Sequence, residues 1–194
     1  ARAYTGKNKV AICGYHGWHD WYLATNIERE DGLAQHLLPG LSPLGVPKSL
    51  GGTVVPFNFN DIDAIKSIIE NGDMAAIKME VERNVKPKQE FLECVRELCT
   101  KNNIILIFDE CTSGFRETYG GLHKKYNIDP DMCVLGKALG NGYAVTAVLG
   151  KGEIMDKAEE TFISSIFWTE RIGSVAGLKT VEIMEKEKSW DYIT

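Results

Sequence analysis

Two charged side chains set within small or apolar runs carry the chemistry that this sequence offers. Lys137 stands between Gly136 and Ala138 at the end of Met132-Cys133-Val134-Leu135, and Asp109 stands with Glu110 at the end of Ile104-Ile105-Leu106-Ile107-Phe108. A lysine amine at neutral pH is protonated and a poor nucleophile; desolvation or a neighbouring cation frees it, and it can then condense with a carbonyl to a Schiff base. Small neighbours leave room for a ligand ring to approach Lys137. The alternatives are a surface lysine after a strand or a phosphate-binding lysine. Of the latter, the Walker form fails, because Gly136-Lys137-Ala138-Leu139-Gly140-Asn141-Gly142 lacks the G-x-x-x-x-G-K-[ST] order.

A carboxylate buried at a strand end is costly unless a cation faces it. Arg116, seven residues beyond Asp109, is one candidate partner for Asp109 or Glu110. The protonated ring nitrogen of a pyridine cofactor is another, since such a ring needs a carboxylate to remain an electron sink. Tyr15 and His16 lie in Gly14-Tyr15-His16-Gly17-Trp18-His19-Asp20-Trp21, a stretch too rich in glycine and aromatics for a regular element. It offers either a stacking face for a ring or an aromatic mini-core around one hydrogen-bonded histidine.

The elements that must position these groups alternate. Strands are expected at 9–13, 53–57, 74–80, 104–110, 132–135 and 145–149. Between them lie amphipathic helices at 60–70, with Asn60 as N-cap, and 90–102, followed by a short helix at 153–160 and a long one at 170–187 with Ile172, Val175, Ala176, Lys179, Ile183 and Met184 along one side. An extended segment is expected at 161–168, and a long surface loop at 26–52, where Pro39, Pro43 and Pro47 fall among glycines. Strand, helix, strand, helix, strand argues for an α/β fold with a largely parallel sheet. Parallel strands covered on both faces read as continuous apolar runs, and ligands bind at their C-terminal edge, where Asp109 and Lys137 would face one crevice.

The 194 residues suffice for one domain with a proper core, and a net charge of −5 offers no field for a nucleic-acid backbone. No apolar run approaches membrane-spanning length and no signal-peptide pattern opens the chain, so a cytoplasmic location is expected. Cys13, Cys94, Cys99, Cys111 and Cys133 are odd in number, sit mostly in apolar runs and form no C-x-x-C pair, which favours reduced thiols over disulfides or a metal site. A nicotinamide dehydrogenase is disfavoured because no G-x-G-x-x-G follows the first strand.

Taken together, Gly14 to Trp21, Phe108-Asp109-Glu110-Cys111-Thr112-Ser113-Gly114-Phe115-Arg116 and Leu135 to Tyr143 resemble the class III aminotransferases of fold type I. Within these they are most similar to the branch of glutamate-1-semialdehyde aminomutase. The resemblance runs over almost the whole chain, with twenty-eight residues from Asp109 to Lys137. It implies a three-layer sandwich with a mostly parallel mixed sheet, residues 1–182 forming the central part of the cofactor-binding large domain and 183–194 the start of a small C-terminal domain. It implies, too, that the family's phosphate cup precedes this segment and that the small domain follows it, so the fold is expected to be incomplete at both ends.

The implied cofactor is pyridoxal 5′-phosphate and the implied activity amino-group transfer, by an aminotransferase or an aminomutase. Lys137 would form the Schiff base and move the Cα proton, and Asp109 would pair with the pyridinium nitrogen. Tyr15 would stack on the ring with His16 beside it, Cys111 would pack against its opposite face, and Glu80 would lie near the site. The family follows that acid with proline where this chain has Val81. Relatives commonly carry a phosphate-binding threonine where this chain has Ile166, so Ser165 is the substitute candidate. A small-molecule amino donor, a carbonyl acceptor and a homodimer are implied, with no nucleic acid, membrane or metal. Ile166 and the missing flanks leave a second reading open, a non-catalytic fragment or degenerate homologue that keeps the sheet as a structural or assembly module.

Overall fold

The computed structural model describes residues 1–17, 19–36, 39–88 and 90–193, so Trp18 of the aromatic loop lies outside the described residues. Six strands, β1 (Lys9–Cys13), β2 (Val54–Pro56), β3 (Met74–Met79), β4 (Ile105–Glu110), β5 (Met132–Leu135) and β6 (Ala147–Gly150), form a sheet in the order β2-β1-β3-β4-β5-β6. β1 runs parallel to β2 and β3, β4 runs parallel to β5, and β6 turns back antiparallel to β5. The largely parallel sheet expected from the apolar runs is therefore present, with the mixed character that the resemblance implies. Three longer helices, α1 (Ile62–Glu70), α2 (Phe91–Lys101) and α3 (Ile172–Glu187), accompany it among the described residues.

The chain divides into two compact units, residues 1–80 with 85–106, and residues 81–84 with 107–194; β4 begins in the first and ends in the second. In the first unit Ala11, Ile12, Ala75, Ala76 and Ile77 are fully buried, as is usual for parallel strands covered on both faces. Ile65 of α1 and Phe91, Leu92, Val95 and Cys99 of α2 are buried with them, which is the helical spacing the sequence shows. In the second unit the core includes Phe108, Leu122, Ile128, Cys133, Leu135, Ile154 and Met184.

Several local expectations are corrected. The N-cap of α1 is Asp61, whose carboxylate accepts from Ala64 N at 2.9 Å. Asn60 takes φ 67° and spends its amide on Lys86 O and Lys88 N. Two cap-forming residues stand side by side there, and the backbone can enter the helix from only one of them. The segment 26–52 is less open than expected: Thr25–Glu28, Ala34–His36 and Lys48–Leu50 form short helical turns, and Asn26, Leu33, His36 and Val46 are buried. Residues 166–168, the end of the segment expected to be extended, lie in a turn with Trp168 N donating to Ser165 O.

The buried side of α3 is also different. Gly173, Gly177 and Met184 are buried, while Ile172, Val175 and Ile183 are exposed. A Cβ at Gly173 would stand 2.9 Å from Ala144 O, and one at Gly177 would touch Leu139 and Val145. The small residues let α3 lie directly on the turn that follows Lys137, so backbone proximity decides this helix's orientation.

Candidate active site

The second unit places Lys137 and Asp109 at the same end of neighbouring parallel strands. Asp109 lies opposite Val134 in the β4–β5 register, and Lys137 follows two residues after the last residue of β5. The lysine opens a tight turn: it takes φ 42°, its carbonyl accepts from Gly140 N and Asn141 N at 3.1 and 3.0 Å, and its side chain is exposed. A lysine in the left-handed region carries a steric penalty that the surrounding turn has to hold.

Contacts between the two strand ends gather a cluster. Lys137 Nζ donates to Thr112 Oγ1 at 2.9 Å, and Cys111 N donates to Asp109 Oδ1 at 3.3 Å. A Cβ on Gly136 would come within 2.6 Å of Cys111 Sγ, so the sulfur rests against the backbone just before the lysine. Asp109, only 8% exposed, Cys111, Thr112, Gly136 and Lys137 thus form one set. Thr112 is the member that reasoning from the sequence missed. Its signal was a hydroxyl in the turn after an acidic strand end, which gains meaning only once β4 and β5 are known to be neighbours.

Arg116 is not the partner of the acids. Its Nε donates to Thr112 O at 2.6 Å from an exposed position. Glu110 instead meets His123, whose Nδ1 lies 2.5 Å from Glu110 Oε1. The same carboxylate, fully buried, accepts from Leu122 N, His123 N and Ser113 Oγ. Glu110 is the anchor of residues 113–123, and thirteen residues separate it from the histidine it needs.

The first unit holds the other expected residues. Glu80, 7% exposed, follows β3, and its Oε2 accepts from Tyr15 N at 3.2 Å. At Gly14, φ 115° and a Cβ that would meet Glu80 Oε2 at 2.5 Å both call for glycine. Tyr22 OH donates to Gly14 O at 3.1 Å, and the Tyr15 and Tyr22 rings meet edge-on at 5.9 Å. His16, 5% exposed, lies with Nε2 3.2 Å from Cys13 O, which makes it a lock on its own turn. His36 Nδ1 faces both Gly14 N and Gly14 O, at 2.9 and 3.1 Å. Burial lowers the pKa of His36, and burial followed by the charge of Glu80 pushes the Cys13 thiol up to about 12. Ser165 sits in an exposed turn of the second unit, where its hydroxyl accepts from Phe167 N at 3.2 Å, beside an Ile166 that is 93% exposed.

This inventory suits a pyridine aldehyde. Within the second unit a carboxylate and an amine stand at neighbouring strand ends, and the glycine before the amine keeps the surface low. Among the described residues no helix is long and apolar enough to cross a membrane.

Comparison with known proteins agrees. The family model for aminotransferase class-III matches residues 58–193. A 3-aminobutyryl-CoA aminotransferase from Cloacimonas acidaminovorans is 39% identical across the whole of this chain, which covers 45% of that relative. A glutamate-1-semialdehyde 2,1-aminomutase from Sulfolobus acidocaldarius is 34% identical over 96% of this chain and 46% of its own length. The chain thus spans about half the length of the curated relatives it matches. An omega-transaminase from Sphaerobacter thermophilus has a similar structure, with TM-score 0.78 and 29% identity over 94% of this chain and 45% of that one. A structure described as a transaminase with PLP bound shares the fold at TM-score 0.80 and 24% identity, over 94% of this chain and 45% of its own.

Proposed function

The chain belongs to the class III aminotransferases, and from that membership we propose that the protein containing it transfers an amino group with pyridoxal 5′-phosphate as cofactor. The observation that carries this reading is the cluster in which Lys137 Nζ reaches Thr112 Oγ1 while Asp109 lies two residues before Cys111 at the neighbouring strand end. When bound, the cofactor supplies an electron sink that makes the α-proton of an amino compound removable.

Lys137 would supply the amine that holds the cofactor, and the same amine would hold and move the proton at the substrate's Cα. Thr112 Oγ1 holds that amine at the mouth of the sheet. Asp109, held by Cys111 N and largely out of water, keeps a ring nitrogen protonated. Tyr15 offers its ring as a stacking face and Glu80 fixes the Tyr15 backbone. Cys111 presents its sulfur beside Gly136, and Ser165 is the phosphate-binding candidate. The substrates are an amino donor and a carbonyl acceptor, or one molecule in which the amino group migrates. The proposed assembly is a homodimer, supported by the strongly exposed Phe162, Ile163, Phe167 and Trp168.

A second reading, a homologue without activity, is favoured by Ile166, which stands in solvent with no hydroxyl to offer a phosphate. Borohydride reduction of the full-length protein with cofactor, followed by peptide mapping, separates the two. A pyridoxyl adduct on Lys137 is expected. An adduct elsewhere, or none, leaves the inactive homologue.

A further inference from the structure

On the face of β4 opposite Asp109, three side chains of different chemistry converge. Successive residues of a strand point to opposite faces, so Glu110 and Phe108 share the face that Asp109 avoids. Cys133 lies opposite Phe108 in the register, and the His123 ring lies 6.1 Å from the Phe108 ring. One oxygen of Glu110, one ring nitrogen of His123 and the sulfur of Cys133 all lie within 4.8 Å of one another. Glu110 is fully buried, Cys133 is 6% exposed, and the His123 side chain is 13% exposed. A cleft of about 530 Å³ lined by Gly121, His123, Lys124, Asp131, Cys133 and Lys151 among others gives access from solvent.

We propose that Glu110, His123 and Cys133 form a binding site for a divalent cation of borderline softness, Zn2+ or Co2+. One oxygen, one imidazole and one thiolate match the ligand preferences of these ions and leave a fourth position for water. Bonds of about 2.0–2.3 Å put tetrahedral ligands roughly 3.3–3.8 Å apart, so the Cys133 sulfur moves inward by up to about 1 Å while His123 Nδ1 and Glu110 Oε1, 2.5 Å apart, separate to admit the ion. Cys133 is a free, buried cysteine whose backbone is paired within the sheet. When the ion binds, the metal–sulfur bond forms, the S–H bond breaks, and the proton goes to water. His123 Nδ1 gives up the proton it donates to Glu110 Oε1, which passes to water or to Nε2, and the lone pair so freed faces the ion. Oε2 keeps its bonds to Leu122 N and Ser113 Oγ. The bound ion then ties β4, β5 and the turn at Leu122–Tyr126 together.

The inference stands apart from the aminotransferase reading, and its test uses neither cofactor nor turnover. Metal-free full-length protein is titrated with Co2+. A thiolate-to-cobalt charge-transfer band and release of at least one proton per ion are expected. Cys133→Ser removes the band, His123→Gln weakens binding at least about tenfold, and Cys94→Ser leaves both unchanged. Absence of the band at saturating Co2+, or its survival in Cys133→Ser, overturns the proposal. Should Cys133→Ser fail to fold, the unaltered protein decides: Zn2+ raises its unfolding midpoint if the site exists, and no rise overturns it.

Discussion

The turns that follow β4 and β5 sit side by side and are built on opposite plans. After β4, Glu110 is sealed from water and surrounded by donors from Leu122, His123 and Ser113, so its acid holds a loop together. After β5, Lys137 is exposed, strained in backbone and tied by its side chain to a single hydroxyl. Fold energy is concentrated in the first turn and left out of the second. A group with few bonds to lose is released at little cost; a carboxylate with four donors keeps its loop in place.

The sharpest way to break this contrast is Lys137→Ala. It should lower amino-transfer turnover of the full-length enzyme by about a hundred- to ten-thousandfold or more, while urea unfolding stays within about 0.5 kcal/mol of the parent. A large loss of stability would mean that the second turn is structural after all. Glu110→Ala should do the reverse, costing roughly 3–5 kcal/mol in the same unfolding measurement by orphaning a half-buried histidine and two amides. Gly121→Ala should follow at about 1–3 kcal/mol, because a Cβ there would lie 2.7 Å from Glu110 Oε1 and collide with the His123 ring.

Thr112→Val sharpens the contrast from the other side. Its hydrogen bond is exposed, so a severalfold loss in turnover is expected, about 0.5–1 kcal/mol, with Thr112→Ser restoring the rate and neither variant changing the unfolding midpoint. The smallest effect lies in the first unit. His36 is buried with its pKa lowered, so the unfolded chain takes up a proton before the folded one does. Stability is therefore complete above the unfolded value of about 6.5 and falls as pH drops from there toward the folded pKa. Urea midpoints between pH 8 and pH 5 should show the decline, and His36→Gln should flatten it while its amide still accepts from Gly14 N.

Strands were the most legible part of the sequence. In Met74 to Met79 and Ile105 to Phe108 all residues but Lys78 and Ile107 are buried, as the composition implies, because strands covered on both faces leave little room for polar residues. The site was legible as residue types: an acid at one strand end, a lysine past another, and the turn at Gly14. Pairings were hidden. Glu110 and His123 are thirteen residues apart, and Thr112 and Lys137 twenty-five, so neither follows from local spacing. The α3 helix misled in another way. Its isoleucines suggest a buried stripe, yet Gly173 and Gly177 are the residues against the Lys137 turn, since close backbone approach favours the absence of a side chain.

The reversal at the end of the sheet gives the Lys137 turn an unusual footing. Because Leu135 pairs with Ala147 across β5 and β6, residues 136–146 form a span whose two feet stand on one rung of the ladder. Extra residues near the crown, around Asn141 and Gly142, would lengthen the arch without shifting its supports. A slip of one rung in β5 would instead carry the amine along the strand and turn neighbouring side chains to the wrong face. Strand register, more than loop length, therefore sets where position 137 delivers its nitrogen.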